Sequence, residues 1–298
     1  MTQEKKSGFV TLLGRPNVGK STLMNALIGQ KIAITSAKAQ TTRNRIETVY
    51  TDERGQIVFL DTPGVHKAKN KLGDFMVDAA RSTLDEVDLI LWLAEPSAYF
   101  GEGEALVRDM LAKRKTPVAL IINKADTVGE EAVAACRARF EQEYDFCEVL
   151  AVSALKETGL DALMDLIFRH LPEGPYYYDP EEVTTETMRD IAAEIIREKA
   201  LRNLSEEIPH GIAVTIEQMK EREDGGFDIE ASLICEKESH KGIVIGKGAS
   251  MIKKIGTQAR LDIEEMTESP VNLKLFVKVR KDWRNDARQV RSFGYKKK

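Results

Sequence analysis

Short apolar runs at Phe9 to Leu13, Ile57 to Leu60, Leu89 to Ala94, Val118 to Ile122 and Val149 to Val152 alternate along the first half of the chain with longer stretches of helical spacing. Thr22 to Ile28 and Leu160 to His170 are among the latter. Unbroken apolar runs of this length suit strands covered on both faces, and strand–helix alternation predicts a parallel α/β sheet wound by crossovers. In such sheets ligands collect at the carboxyl ends of strands, so the residues that close each run are the first candidates for chemistry. The pattern changes at Leu171 to Pro180, whose prolines and glycine read as a linker. Met188, Ile191, Ala192, Ile195 and Ile196 then recur at helical spacing behind a capping box of Thr187 and Asp190, which makes the isoleucines core. Gly211 to Glu217 and Phe227 to Ile234 flank the turn Asp224-Gly225-Gly226 and predict a hairpin. A further helical pattern through Met251, Ile252 and Ile255 and a last strand, Asn272 to Val279, follow. The expected division is a domain over 1–172, a linker over 173–183 and a second domain over 184–298.

Length and composition agree with two ordinary globular domains: 298 residues, 42% hydrophobic and 31% charged, without low-complexity tracts. No apolar run approaches the ~18 residues of a membrane span, and Met1 to Lys6 leads into the first strand without a signal-like run, so a cytosolic protein is expected. Cys136, Cys147 and Cys235 are odd in number and outside any CxxC pair, which points to buried structural thiols, not to a disulfide or zinc framework. A net charge of −4 argues against indiscriminate nucleic-acid binding. Charge is nevertheless local. No carboxylate lies between Glu4 and Glu47, a stretch that holds Lys20, Lys31, Lys38, Arg43 and Arg45, and a second such stretch runs from Lys241 to Leu261.

The first run leads into Gly14-Arg15-Pro16-Asn17-Val18-Gly19-Lys20-Ser21, a glycine loop between strand and helix. That arrangement cradles phosphates: backbone N–H groups from Asn17, Val18, Gly19, Lys20, Ser21 and Thr22 turn inward at a helix N-terminus. Lys20 is the candidate to neutralise the β- and γ-phosphates and Ser21 to ligate Mg²⁺. Ile57 to Leu60 ends in Asp61-Thr62-Pro63-Gly64, which offers a second Mg²⁺ carboxylate in Asp61 and a γ-phosphate-sensing N–H in Gly64. Val118 to Ile122 ends in Asn123-Lys124-Ala125-Asp126. Asp126 accepts from the N1–H and exocyclic amine of guanine, a donor pair adenine lacks; Asn123 braces the loop, and the stem of Lys124 covers the base face. The last run of this domain ends in Ser153-Ala154-Leu155, where the Ala154 N–H is the candidate donor to guanine O6. The NKAD loop disfavours the rival reading as an ATP-dependent kinase.

Lys31 to Arg45 reads as a polar switch loop in which Thr41 and Thr42 are both candidates for the hydroxyl that joins Mg²⁺. Val65 follows the DTPG glycine and cannot orient a water, which predicts a slow basal rate with help from a partner, a potassium ion or another switch residue; His66 is a weak candidate base. In the second domain Ile243-Val244-Ile245-Gly246-Lys247-Gly248-Ala249 runs into a helix and resembles the single-strand RNA-binding loop of KH domains, with Ala249 where that loop has its second invariant Gly. Lys241, Lys247, Lys253, Lys254 and Arg260 supply the electrostatic attraction. The closing segment interleaves Arg280, Lys281, Arg284, Arg288 and Arg291 with Trp283, Phe293 and Tyr295 before three lysines, a composition able to stack bases or to meet an anionic membrane.

In this order, with three at strand ends, the motifs resemble G1, G3, G4 and G5 of translation-factor-class GTPases. GRPNVGKS, QTTR, DTPG, NKAD and SAL followed by EIIREK, EEIPH, the KH-like loop and VKVRKDWRND resemble the Era/TrmE-like family of bacterial GTPases along nearly the entire chain. The resemblance implies a Ras-like P-loop GTPase domain followed by an α+β type II KH domain. It implies Thr42 as the switch hydroxyl and, through Asn17, K⁺ as a cofactor beside Mg²⁺ and GTP or GDP. It further implies binding to the 3′ end of small-subunit ribosomal RNA, a role in assembling that subunit, and a peripheral membrane contact. A monomer is expected. The rival from another class is a nucleotide-stabilised scaffold whose second domain binds protein or membrane.

Overall fold

The computed structural model describes residues 5–36, 38 and 40–295; Met1 to Glu4 of the expected leaderless N-terminus and the three closing lysines lie outside the described residues. The chain divides into one unit formed by Met1–Lys69 with Gly73–Thr185 and a second formed by Asn70–Leu72 with Glu186–Lys298.

In the first unit the strands are β1 (Lys6–Leu13), β2 (Ile46–Asp52), β3 (Gly55–Asp61), β4 (Leu89–Ala94), β5 (Val118–Ile122) and β6 (Glu148–Ala151). The helices are α1 (Lys20–Ile28), α2 (Lys71–Thr83, in this unit from Gly73 on), α3 (Glu102–Leu111), α4 (Glu130–Glu141) and α5 (Leu160–His170). The sheet order is β2-β3-β1-β4-β5-β6. All neighbours are parallel except β2 and β3. The expected wound sheet is therefore present, with one addition: β2, whose apolar positions are interspersed with Glu47, Thr48, Thr51 and Asp52, pairs antiparallel and sets Ile46 opposite Asp61. The end of the loop 31–45 is thus fixed beside the strand end that carries Asp61. One face of the sheet packs Val10, Leu12, Ile57 and Ile121 against Leu23, Met24 and Ile167, and the other packs Ile90, Trp92 and Leu120 against Val107, Cys136 and Phe140.

The segment 173–183, expected to be a linker, packs on this unit. Gln56 is fully buried, its Oε1 accepts from the Tyr177 and Tyr178 amides at 2.8 and 3.0 Å, and its Nε2 donates to Tyr178 O at 3.0 Å. Farther on, the Val49 amide donates to Val183 O at 2.8 Å, and Thr184 Oγ1 donates to Glu47 O at 2.8 Å. Proline and glycine interrupt any periodic pattern here, and side chains far away in sequence satisfy the backbone instead. Cys136 and Cys235 are buried, but Cys147 is exposed, because it precedes β6, a border strand.

The second unit runs α6 (Met188–Asn203), β7 (Ala213–Glu221), β8 (Phe227–Cys235), α7 (Glu238–Ile245), α8 (Ser250–Thr267), β9 (Val271–Val279) and α9 (Ala287–Ser292). Its sheet order is β7-β8-β9, with the first pair antiparallel and the second parallel, the α–β–β–α–α–β arrangement implied for a type II KH domain. The Thr187 side chain caps α6 by accepting from the Asp190 amide, and Ile195 and Ile196 enter a core shared with Leu233, Ile255 and Ile263.

The reading of the closing aromatics as a base-stacking surface is corrected. Trp283 is fully buried and donates from Nε1 to Gly211 O at 2.9 Å; Phe293 meets it edge-on at 5.3 Å and Tyr295 stacks on it at 5.9 Å. Arg284 pairs with Glu236 at 2.6 Å, while Arg280, Lys281, Arg288 and Arg291 are exposed. A chain that alternates basic and aromatic residues suits a half-buried anchor as well as a stacking platform; here the rings belong to the core. Trp283→Ala should therefore cost the second unit about 3–5 kcal/mol by removing the ring and orphaning a buried carbonyl, read as a lower denaturant midpoint. A variant of wild-type stability with weakened RNA binding would return the ring to the surface role.

Candidate nucleotide site and RNA-binding loop

The loop after β1 owes its curl to left-handed backbone at Asn17 (φ 68°) and Gly19 (φ 96°), and Gly19 caps α1 by accepting from the Leu23 amide at 2.8 Å. A Cβ on Gly19 would lie 2.3 Å from Asn123 Nδ2, so both the φ and the approach of the NKAD loop demand glycine. Asn123, nearly fully buried, donates from Nδ2 to Val18 O at 2.9 Å and accepts the Ala154 amide on Oδ1 at 3.0 Å. It thus ties together the phosphate loop, the NKAD loop and the SAL loop. The Ala154 N–H expected to meet guanine O6 is the one that donates to Asn123 Oδ1, which places the brace and the expected base contact on the same group. Asp126 is exposed in the single turn Ala125–Thr127, and Lys124 precedes it in left-handed conformation with Nζ donating to Asn17 O at 2.8 Å. Ser153 is buried and its Oγ accepts the Lys156 amide at 3.1 Å, whereas Leu155 stands exposed beside it.

Three hydroxyl and carboxylate groups converge at the start of α1. Ser21 Oγ lies 2.8 Å from Thr42 Oγ1 and donates to Asp61 Oδ2 at 2.9 Å, and Thr42 Oγ1 reaches the same oxygen at 3.4 Å. Thr41 instead donates to Lys38 O at 2.7 Å, which separates the two threonines. Asp61 Oδ1 is buried without a hydrogen-bond partner among the described residues. Hard oxygens gathered around a carboxylate atom in need of a partner fit Mg²⁺. Burial raises the Asp61 carboxyl to about 6 against the opposing pull of Lys20, Ser21 and Thr42, and burial lowers the Lys20 ammonium to about 8 against the pull of Asp61. Lys20 Nζ donates to Gly14 O at 3.2 Å and Arg15 O at 2.9 Å, inside the curl of the loop.

The DTPG segment lies against that loop: a Cβ on Gly64 would come within 2.7 Å of Pro16 N, and the Val65 amide donates to Gly14 O at 3.0 Å. Val65 itself is buried among Leu13, Ile90 and Trp92. His66 Nδ1 lies 2.8 Å from Gly64 O, which must accept, so Nε2 accepts from Gln40 Nε2 at 3.1 Å. With both ring nitrogens engaged, His66 ties the switch loop to DTPG and is not placed as a base.

In the second unit, Gly246-Lys247-Gly248-Ala249 joins α7 to α8. Gly246 combines φ 73° with ψ 168°, a region essentially reserved for glycine, and Ala249 holds φ 60° as the residue capping α8. Ala249 therefore keeps the backbone that glycine would give, at about 1–2 kcal/mol of strain. Lys247, Lys253 and Lys254 are exposed, Lys241 is partly so, and Ile243 offers an apolar surface beside the loop. Arg260 is corrected: Glu264 binds it at 2.6 Å, one turn on, so the acid-free run does not leave it unpaired.

A family described as 50S ribosome-binding GTPase matches residues 9–124, and one described as KH domain matches residues 207–284. The GTPase Era of Clostridium perfringens is 49% identical over 292 residues, covering 98% of this chain and 99% of its own. The GTPase Era of Clostridium botulinum strain Eklund 17B is 49% identical over 293 residues, with the same coverage. A crystal structure of Era in complex with MgGDPNP and nucleotides 1506–1542 of 16S ribosomal RNA is similar at a TM-score of 0.94, with 37% identity over 98% of this chain and 99% of that one. A variant of Aquifex aeolicus Era bound to GDP·AlF4⁻ is similar at a TM-score of 0.93, with 38% identity over 97% and 99%.

Proposed function

The chain belongs to the Era family of GTPases, and from that premise we propose that it binds small-subunit ribosomal RNA near its 3′ end and uses GTP binding and hydrolysis to time its part in assembling that subunit. The observation that carries the nucleotide half is the convergence of Ser21, Thr42 and Asp61 beside Lys20. We assign Asn17, Val18, Gly19, Lys20, Ser21 and Thr22 to the phosphates, Asn123, Lys124 and Asp126 with Ser153, Ala154 and Leu155 to the base, and Ser21, Thr42 and Asp61 to the metal. When bound, Mg²⁺ neutralises charge on the β- and γ-phosphate oxygens. Lys20 adds its own charge there, and the Gly64 amide faces the terminal phosphate. Water attacks the γ-phosphorus in line, the bond to the β-phosphate oxygen breaks, GDP leaves with the electron pair and the proton passes to phosphate.

Val65 and His66 leave no side chain of the DTPG segment to orient that water, so the slow basal rate stands as part of the proposal. Asn17, exposed at the tip of the loop, is the residue we assign to K⁺. For RNA, the Era relative bound to 16S nucleotides 1506–1542 and the lysines around Gly246 to Ala249 support the reading. The backbone amides of that loop approach the sugar-phosphate chain while Lys241, Lys247, Lys253 and Lys254 neutralise it. No described helix is long and apolar enough to cross a membrane; the exposed Arg280, Lys281, Arg288 and Arg291 are where a peripheral contact would form.

Footprinting on purified small-subunit RNA tests the proposal, with the protein carrying a non-hydrolysable GTP analogue, GDP or no nucleotide. Protection near the 3′ end that depends on the analogue is the expected result. Equal protection in every state would overturn the timing role but leave RNA binding, and no protection at all would favour the protein or membrane scaffold.

A further inference from the structure

The carboxyl end of β4 carries no motif, yet the residue that follows it stands where the two nucleotide loops meet. Glu95 Oε1 pairs with Lys124 Nζ at 2.5 Å, and its Oε2 pairs with Arg15 Nη2 at 3.4 Å. Lys124 belongs to the base loop and Arg15 to the phosphate loop. Glu95 is itself well anchored: its carbonyl accepts from the Ser97 amide at 2.7 Å and from Cys136 Sγ at 3.4 Å, and the neighbouring Ala94 carbonyl accepts the Asn123 amide at 2.9 Å. On the far side, Arg15 also pairs with Glu104, a carboxylate of α3 that is 3% exposed. Lys124 Nζ makes its second contact with Asn17 O. One carboxylate therefore holds two cations from two loops, and the ammonium of Lys124 is fixed at both a charge and a carbonyl.

These side chains are about one-third exposed, at 35% for Glu95 and Arg15 and 38% for Lys124. A pair in that setting adds little to stability. What it can do is restrict geometry. A lysine has several rotatable bonds, and a stem ordered before the ligand arrives loses less entropy when the ligand binds. We propose that Glu95 is a positioning residue for nucleotide retention: by pinning the Lys124 ammonium between the phosphate loop and β4, it lays the lysine stem across the face of the bound base. The inference rests on the assignment of Lys124 to the base site.

A face contact is blind to the edge of the base. Losing Glu95 should therefore speed the release of guanosine and inosine diphosphates by the same factor, although inosine lacks the exocyclic amine that Asp126 reads. The test is stopped-flow dissociation of fluorescent GDP and IDP from the wild-type protein, Glu95→Gln, Lys124→Ala and the double variant, with thermal unfolding of each nucleotide-free protein alongside. Glu95→Gln should raise the dissociation rate roughly fivefold, the upper end for a partly exposed pair. It should leave the unfolding midpoint in place and add nothing once Lys124 is Ala. Glu95→Asp, which keeps the charge on a shorter arm, should fall between, and it serves in place of Glu95→Gln if that variant unfolds. A wild-type rate in both Glu95 variants beside a fast Lys124→Ala, or independent effects in the double variant, overturns the inference while sparing the base site. A wild-type rate in Lys124→Ala overturns the base-site assignment itself.

Discussion

Lys20→Ala should lower single-turnover GTP hydrolysis by about 10²–10³-fold, the usual cost of removing one preorganised charge or donor from a transition state. The surroundings of the ammonium explain why no neighbour replaces it. Lys20 is buried inside the loop, where Gly14 O and Arg15 O fix its position, and it is the opposing charge that holds down the carboxyl of Asp61. Truncation thus acts twice: the γ-phosphate loses its cation, and Asp61 loses the charge that keeps it ionised and fit to bind a metal. Affinity for fluorescent GTP should fall with turnover, and raising Mg²⁺ should recover only part of it. Hydrolysis near the wild-type rate would remove the loop from the active site.

Asp126→Asn should weaken GTP binding by about 10²–10⁴-fold, because two hydrogen bonds to one carboxylate are lost and each charged bond contributes about 1.5–3 kcal/mol. The variant should gain affinity for xanthosine triphosphate, whose second carbonyl accepts from the new amide. Titration of both nucleotides against the wild-type and variant proteins reads the exchange directly. Asp126 is exposed and its neighbours are braced by Asn123, so the loss falls on the ligand and not on the fold. Unchanged GTP affinity would overturn the base assignment.

Much of the nucleotide site was legible in the sequence because its parts are contiguous and fall where a parallel sheet ends its strands. Ser21, Asp61, Asn123 and Asp126 each sit in a short motif whose spacing is set by a turn. Thr41 and Thr42 show the limit of that reading: adjacent hydroxyls in an irregular loop are equivalent until β2 fixes which one turns toward Asp61. Glu95 had only a weak signal, its place after a strand end, since its partners lie about 30 and 80 residues away and no local pattern marks them. The closing aromatics misled for the opposite reason. Their local composition is distinctive, but whether Trp283 meets a base or Gly211 depends on the cap that α9 and Tyr295 place over it. For the KH-like loop, spacing gave the turn, and only the backbone shows that Ala249 keeps the left-handed bend.

The segment that leaves the first unit bears on which other chains can approach it. β2 ends the sheet, and an uncovered edge strand is a template on which an extended peptide or a second molecule can add itself. Here Thr184 bridges to Thr48, and Val183 takes the amide of Val49. The protein's own chain thereby fills the middle of that template and closes it to intermolecular strand addition.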